Sequence, residues 1–267
     1  MRGISNCIST HLKQNPKLTT IISSSGGNAG LSATIVAVKL GLKVIVYCPT
    51  TTSNETVARL EREGAQVVSV GKVWDKTHLE AIKKVEELGE CGFYVHPFEH
   101  PDTWIGHSTI VGEIFKEIVP DVLICSVGGG GLLCGILTGL IEQKANTIVY
   151  CVETEGAHSL NAELNGKELH AITSIAKSLG ALKVSRRVFE LMDIYGRDKV
   201  KSVVVSDKQA LEAVELFHKE FSYYVEPACG ASLHYLYKNE FENQKVAIEV
   251  CGGFQVDAEL IQKWKRQ

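Results

Sequence analysis

Short apolar runs alternate along the chain with longer segments in which apolar residues recur every three or four positions. The short runs are typical of buried strands, and the periodic segments are typical of amphipathic helices. Because the two kinds alternate, we expect an α/β fold with mostly parallel sheets. Strands are predicted at residues 19–23, 44–48, 66–70, 122–127, 147–152, 202–205 and 246–250. Helices are predicted at residues 29–40, 54–63, 74–88, 109–118, 132–141, 185–193, 207–221, 228–238 and 256–265.

The segment from residue 95 to residue 106 interrupts this alternation. It contains Pro97 and Pro101 and shows no clear periodicity, which is typical of a crossover between two lobes, the alternative being an excursion within one domain. We therefore expect a small domain of residues 1–100 and a large domain of residues 101–267. Each lobe is predicted to be an open, mostly parallel sheet flanked by helices.

Composition and charge narrow the classes of function. The chain has 267 residues, of which 45% are hydrophobic and 22% charged, so a globular protein with a substantial core is expected. Lysine and arginine number 28 against 31 acidic residues, and no basic stripe stands out. We expect a small-molecule substrate rather than nucleic acid or a membrane, and a cytoplasmic location, since no signal-peptide core or span of ~20 apolar residues occurs.

The eight cysteines are interpreted as free thiols rather than as a disulfide framework. A large apolar core makes disulfide bonds unnecessary, and several cysteines end apolar runs, where a thiol behaves as a small hydrophobic group. No C-x-x-C pattern occurs, so no zinc site is expected.

Four consecutive glycines, Gly128, Gly129, Gly130 and Gly131, lie between a predicted buried strand and a predicted helix. Such a turn brings backbone N–H groups to a bound anion at the positive end of a helix, which indicates a phosphate. The alternative is a tightly packed turn without a ligand. Neither the P-loop pattern nor the G-x-G-x-x-G dinucleotide pattern is present, so a free nucleotide is not expected.

A second polar turn precedes the helix predicted at residue 29. It contains Ser24, Ser25, Asn28 and Ala29, whose hydroxyl, amide and N–H groups suit a small carboxylate. An ordinary helix N-cap is the alternative, for which one Ser or Asn suffices.

Further polar turns follow other strands, and the carboxyl ends of parallel strands meet at one edge where ligands bind. They include Glu153 to Ser159, the segment beginning at Glu226, and the segment beginning at Cys251. The alternatives are helix-start carboxylates for both glutamates and a core thiol for Cys251.

Four segments in order resemble motifs of the fold-type II pyridoxal-phosphate enzymes, which share a tryptophan-synthase-β-like fold. The segments are SSGGNAG at 24–30, SVGGGGL at 126–132, VEPACG at 225–230 and VCGG at 250–253. Within that group the chain most resembles the branch of L-serine dehydratase and L-threonine deaminase. The resemblance implies pyridoxal 5'-phosphate as cofactor and a homodimer.

The resemblance also implies roles for individual residues. Backbone N–H groups of the four glycines would hold the cofactor phosphate, Asn28 would bind its 3-oxygen, and Cys251 would face the pyridine nitrogen. The substrate carboxylate would be held by Ser24, Ser25 and Ala29. Glu153, with the backbone oxygens of Ala157 and Ser159, would bind a monovalent cation such as K⁺, for which oxygen ligands are suited.

The reaction that the resemblance implies is a β-elimination of amino-acid catabolism. L-Serine would give pyruvate and ammonia, and L-threonine would give 2-oxobutanoate and ammonia. The two substrates differ by one methyl group, and the sequence does not choose between them.

The chain also departs from the family pattern. The family's imine-forming lysine lies in a Ser-Phe-Lys-x-Arg-Gly segment, and Arg2 and Gly3 match its end, so the lysine position falls just before Met1. We therefore expect the 267 residues alone to be inactive. Phe254 stands where a small polar residue is usual, and Ser178 stands where an alanine is usual.

Three functions remain open at this point. The first is an L-serine or L-threonine ammonia-lyase of which this sequence is a fragment. The second is a non-catalytic relative that binds cofactor, amino acid or a partner subunit. The third is a synthase or racemase of the same fold, which the quadruple glycine and the Ser-Ser-containing loop favour less.

Overall fold

The computed structural model describes residues 1–72, 74–239, 241–253 and 256–266. The chain divides into two compact units, Met1–His107 and Ser108–Gln267. Helix α5, Pro101–Glu117, contains the point at which one unit passes into the next.

The first unit is built on a parallel sheet of four strands in the order β3-β2-β1-β4. Buried Ile21 and Ile22 of β1 contribute to the two faces of the sheet. The strands are β1 Thr20–Ser23, β2 Lys43–Cys48, β3 Gln66–Ser69 and β4 Gly92–Tyr94, and the helices are α1 Arg2–Gln14, α2 Asn28–Lys39, α3 Asn54–Arg62 and α4 Trp74–Leu88.

The second unit has a parallel sheet of four strands in the order β7-β6-β5-β8. All five residues of β5 are buried, as its continuous apolar sequence predicts for a central parallel strand. The strands are β5 Val122–Ser126, β6 Ile148–Thr154, β7 Val200–Val205 and β8 Val246–Ile248, and the helices are α6 Gly131–Glu142, α7 Ser159–Leu164, α8 Arg186–Tyr195, α9 Asp207–Phe221, α10 Pro227–Lys238 and α11 Ala258–Lys265.

The predicted fold class is confirmed, and the structure corrects several elements. Within the segment of residues 95–106, where no regular element was predicted, the second half is helical, because Pro101 begins helix α5. Proline is suited to the first turn of a helix, where its missing N–H would have no partner. Three observed elements were not predicted from the sequence: α1, a largely polar helix, β4, a three-residue strand, and α7, a six-residue helix.

The cysteines are free, and most of them are buried. Cys125 on β5 and Cys151 on β6 are partners in the strand register and are fully buried. Of the eight cysteines, all of which lie in the described part of the chain, Cys91 and Cys251 are exposed. No helix among the described residues is long and apolar enough to cross a membrane.

Candidate functional site

The four glycines form the turn between β5 and α6 in the second unit. Helix α6 begins at Gly131, and its N-cap Gly130 has a left-handed φ of 87° that favours glycine. Among the described residues, no group accepts a hydrogen bond from the amide nitrogens of Gly128, Gly129 or Gly130. The turn therefore presents unpaired backbone donors at the positive end of a helix.

The carbonyl groups of this turn, by contrast, are hydrogen-bonded. The Ser159 hydroxyl donates to the Gly128 carbonyl at 3.4 Å, and the Ser185 N–H donates to the Gly129 carbonyl at 3.0 Å. With its carbonyls held in this way, the turn leaves its N–H groups to an acceptor from outside the described chain.

Neighbouring segments leave no room for side chains at two of the glycines. A Cβ at Gly128 would lie 3.0 Å from the Leu179 Cα, and one at Gly130 would lie 2.6 Å from Val188 Cγ2. Leu179 belongs to a short 3₁₀ turn, Lys177–Leu179, in which Lys177 and Ser178 are exposed. Glycine is required here by close packing as well as by the left-handed conformation.

The 3₁₀ turn is itself fixed by the start of α9. The Ser174 hydroxyl donates to Asp207 Oδ1 at 2.6 Å, and the Ile175 N–H donates to Asp207 Oδ2 at 3.0 Å. Ser174 Oγ also lies 2.8 Å from the Thr154 hydroxyl at the end of β6. Hydrogen bonds to the Asp207 carboxylate thus fix Ser174 and Ile175, which lead into the 3₁₀ turn that packs on Gly128.

The loop of residues 24–29, called here the 24–29 loop, joins β1 to α2 in the first unit. Ser24 is fully buried, whereas Ser25, Asn28 and Ala29 are half-buried. Helix α2 begins at Asn28, and its N-cap is Gly27, without a side-chain cap. The N-cap alternative for the serines and Asn28 therefore does not describe this helix.

Close contacts shape the loop. A Cβ at Gly30 would lie 1.7 Å from the Ser25 carbonyl oxygen, so only glycine permits this turn of the chain. The Gly27 N–H donates to the Ser25 hydroxyl oxygen at 3.3 Å. The loop is thereby folded tightly between the end of β1 and the start of α2.

Two side chains that were not predicted as site residues, Tyr94 and Trp74, contact Ser24, and a third, His78, contacts Tyr94. The Tyr94 hydroxyl lies 2.5 Å from the Ser24 hydroxyl and 2.8 Å from His78 Nδ1, and the Trp74 indole N–H donates to the Ser24 carbonyl at 3.1 Å. Tyr94 lies in β4, which the sequence analysis missed because the strand is short and begins with glycine. The sequence feature that could have drawn attention to this region is Tyr94, followed by His96 and His100.

Cys251 follows β8 and is exposed, so it is not the core thiol of the alternative interpretation. Its thiol donates to Glu249 Oε2 at 2.9 Å. A hydrogen bond with Cys229, partial desolvation of the sulfur, and the charge of Glu249 raise the pKa of the Cys251 thiol well above its usual range. Cys251 is therefore a protonated S–H donor at neutral pH. Phe254 lies outside the described residues.

Glu153, the penultimate residue of β6, is fully buried. Its Oε1 and Oε2 each accept a backbone N–H at 2.8 Å, from Leu160 and Asn161 in the first turn of α7. Burial raises the pKa of Glu153 to about 8, and the two N–H groups oppose that rise. The carboxylate thus serves the helix start, as one alternative has it, while Ala157 and Ser159 are buried nearby in the chain.

No group of three or more His, Cys, Asp and Glu side chains in the described ranges could hold a metal ion. The residues of the 24–29 loop belong to the first unit, and the glycine turn, Glu153 and Cys251 belong to the second.

Residues 1–252 match the model of a protein family described as "Pyridoxal-phosphate dependent enzyme". The chain belongs to this family. Two curated relatives illustrate the branch. A serine dehydratase-like protein of Rattus norvegicus is 38% identical over 92% of this chain and 79% of the relative. An L-serine dehydratase/L-threonine deaminase of Bos taurus is 36% identical over 92% of this chain and 79% of the relative.

Solved structures of an L-serine ammonia-lyase and a threonine deaminase have the same fold. A fungal L-serine ammonia-lyase from Rhizomucor miehei superposes with a TM-score of 0.89 at 29% identity, over 100% of this chain and 88% of that chain. A threonine deaminase from T.th. superposes with a TM-score of 0.82 at 25% identity, over 96% of this chain and 82% of that chain. The predicted family and branch are confirmed.

The glycine turn fits the phosphate of the family's cofactor. It offers backbone donors without protein acceptors, it excludes Cβ atoms, and it lies at a helix N-terminus. Pyridoxal phosphate is thus a cofactor that residues of this chain are built to accept. The individual site residues remain predictions.

Proposed function

We propose that this chain is a pyridoxal-phosphate dependent L-serine ammonia-lyase that also takes L-threonine. The unpaired N–H groups of the glycine turn carry the proposal, because they match a phosphate. The relatives named above supply the reaction class, since serine dehydratases and an L-serine ammonia-lyase are among them.

We assign the cofactor phosphate to the N–H groups of Gly128 to Gly131. The positive end of α6 stabilises a dianion there. When bound, pyridoxal phosphate supplies the electron sink that lets an amino acid lose its Cα proton and its β-hydroxyl. Asn28 is assigned to the 3-oxygen as a side-chain amide donor.

Cys251 is assigned to the pyridine nitrogen. Its thiol keeps its proton because its pKa is raised, so its S–H can turn from Glu249 to donate a hydrogen bond to a neutral ring nitrogen. A carboxylate in this place would favour a protonated nitrogen instead. Weak withdrawal of electrons by a neutral ring suits elimination of a β-hydroxyl.

The 24–29 loop is assigned to the carboxylate of the amino acid. Ser25 and Ala29 are half-buried at the start of α2, where N–H groups attract an anion, and Ser24 supports them from inside the fold. The methyl group of L-threonine would not contact these carboxylate donors, which is why both substrates are included.

Four further proposals follow from family resemblance. They are a K⁺ ion bound by Glu153 with the carbonyl oxygens of Ala157 and Ser159, a homodimer, a cytoplasmic location, and the assignment of residues 1–100 and 101–267 to the small and large domains. Light scattering of the purified protein tests the homodimer.

The experiment is a coupled assay of 2-oxo acid formation from L-serine and L-threonine with added pyridoxal phosphate. It is run on the 267-residue polypeptide and on one extended before Met1 by the family's Ser-Phe-Lys segment. We expect 2-oxo acid from the extended polypeptide and at least about a thousandfold less from the other, since a lost nucleophile or base removes most of the rate. Absence of product from both, with cofactor bound, would favour the non-catalytic alternative.

A further inference from the structure

The hydroxyl and the carbonyl group of Ser24 both form hydrogen bonds with side chains of the first unit. Its hydroxyl lies 2.5 Å from the Tyr94 hydroxyl, and its carbonyl accepts the Trp74 indole N–H at 3.1 Å. Ser24 itself is fully buried, and both hydrogen bonds are partly buried. Ser24 is therefore a fixed point from which the 24–29 loop departs.

The Tyr94 hydroxyl contacts two side chains and so bridges them. It also lies 2.8 Å from His78 Nδ1, so a chain of hydrogen bonds runs from Ser24 through Tyr94 to α4. Burial raises the pKa of Tyr94 to about 12, so the hydroxyl stays protonated and can donate at either end of this chain.

The residues of this bridge lie on a strand and a helix, β4 and α4, which fix their positions. Tyr94 is paired in register with Ile22 of β1, two residues before Ser24, so the sheet fixes its distance from the loop. Trp74 and His78 are four residues apart on α4 and stack with their ring centroids 4.8 Å apart. The same helix therefore contacts Ser24 directly through Trp74 and indirectly through Tyr94.

The loop has little freedom beyond Ser24. The Ser25 carbonyl occupies the space that a Cβ at Gly30 would fill, and the Gly27 N–H is bound to the Ser25 hydroxyl. A shift of Ser24 must therefore be passed on to Ser25 and to the first N–H groups of α2.

We propose that Tyr94 and His78 are positioning residues that hold the 24–29 loop in the conformation that binds the amino-acid carboxylate. This inference rests on the proposed function, which assigns the carboxylate to that loop. Neither residue is assigned to the phosphate, and the loop reaches the cofactor through Asn28 alone, so loss of the bridge should weaken amino-acid binding more than cofactor binding.

The test compares Tyr94→Phe with the control Tyr47→Phe. Both variants remove one hydroxyl from a tyrosine in the same hydrophobic cluster, and among the described residues the Tyr47 hydroxyl, on β2, has no hydrogen bond to the loop. In the presence of pyridoxal phosphate, the Kd of L-serine is measured by calorimetry and that of the cofactor by absorbance. We expect about a tenfold higher Kd for L-serine in Tyr94→Phe only, as for loss of one hydrogen bond, with a smaller change in the Kd of the cofactor.

A second readout uses Trp74 as a reporter. Of the three tryptophans, Trp104 and Trp264 are replaced by Phe, so the remaining emission reports on the Ser24 carbonyl. L-Serine should shift this emission in the parent protein and shift it less when Tyr94→Phe is added. His78→Asn, which keeps a polar group near Nδ1, should retain more L-serine affinity than His78→Leu.

The outcomes separate the two proposals. L-Serine binding by the parent with an equal Kd in Tyr94→Phe would overturn the positioning role and leave the proposed function standing. Equal weakening by Tyr47→Phe would also overturn it, because general loosening of the cluster would then suffice. Absence of L-serine binding by the cofactor-loaded parent would overturn the proposed function and this inference with it.

Discussion

The substitution Gly128→Ala tests the phosphate turn with a single methyl group. The new Cβ would lie 3.0 Å from the Leu179 Cα and 3.2 Å from the Ser178 carbonyl oxygen. Both are backbone atoms that cannot rotate away, so either the glycine turn or the 3₁₀ turn must move by a few tenths of an ångström. Overpacking of this kind costs about 1–3 kcal/mol of folding free energy.

The same substitution should also weaken binding of the cofactor. A displaced turn loses about one hydrogen bond to a charged phosphate, which is worth roughly 1.5–3 kcal/mol, so the Kd of pyridoxal phosphate should rise about 10- to 100-fold. Equilibrium dialysis and absorbance titration measure this Kd. Inorganic phosphate, added as a competitor, should displace the cofactor less effectively from the variant.

The matched control is Gly166→Ala in the same unit. Gly166 is exposed, has a φ of 68°, and has no atom within 4 Å of a built Cβ. Left-handed strain costs about 1–2 kcal/mol, so the two variants lose similar stability by urea unfolding. An unchanged cofactor Kd in Gly128→Ala, or an equal rise in Gly166→Ala, would refute the assignment of the turn to the phosphate.

Three other substitutions test the remaining features. Asn28→Ala should weaken cofactor and L-serine binding while the melting temperature changes little, since Gly27 is the N-cap of α2; a large fall in melting temperature would contradict this. Glu153→Gln should abolish any rise in melting temperature when tetramethylammonium chloride is replaced by KCl, and a persistent rise would remove Glu153 from the cation site. Burial, with His78 and His100 nearby, lowers the pKa of His96 from 6.5 to about 4. The unfolded chain therefore binds the proton first, so the stability this group contributes is present above pH 6.5 and is lost as pH falls towards 4. His96→Gln should reduce the loss of urea stability between about pH 7 and pH 5 by about 2 kcal/mol, and an unchanged pH dependence would contradict the shift.

The sequence predicted best those helices and strands whose ends are marked by specific residues, such as helix caps. Helix α9 was predicted at residues 207–221 and is observed at Asp207–Phe221, and Ser206 and Gln209 form a capping box at its start. Helix α1 was missed because a narrow stripe of Gly3, Ile4, Cys7 and Ile8 is its buried face in an otherwise polar segment. Proline at 101 was interpreted as a break, although at a first turn it is compatible with a helix.

The same limit applies to the candidate site. The two glycine-containing turns are recognisable in the sequence, since each needs several adjacent residues of unusual type. Their supports are not, because Tyr94 is 70 residues from Ser24 and Asp207 is 33 from Ser174. Only the folded sheet brings such partners together, and neither periodicity nor composition records that pairing.

The distribution of thiols gives the molecule a built-in chemical reporter. Cys91 and Cys251 are the exposed cysteines, and Cys251 is the one assigned to the cofactor ring. An alkylating reagent added to the folded protein should mark Cys91 first, and Cys251 should react more slowly than Cys91 because its raised pKa keeps it in the unreactive thiol form, as peptide mass spectrometry would show. Cys91, in the turn before β4, then serves as an internal standard of solvent access. Occupancy of the ring position can be followed as the ratio of labelling at the two cysteines, without turnover and without any engineered probe.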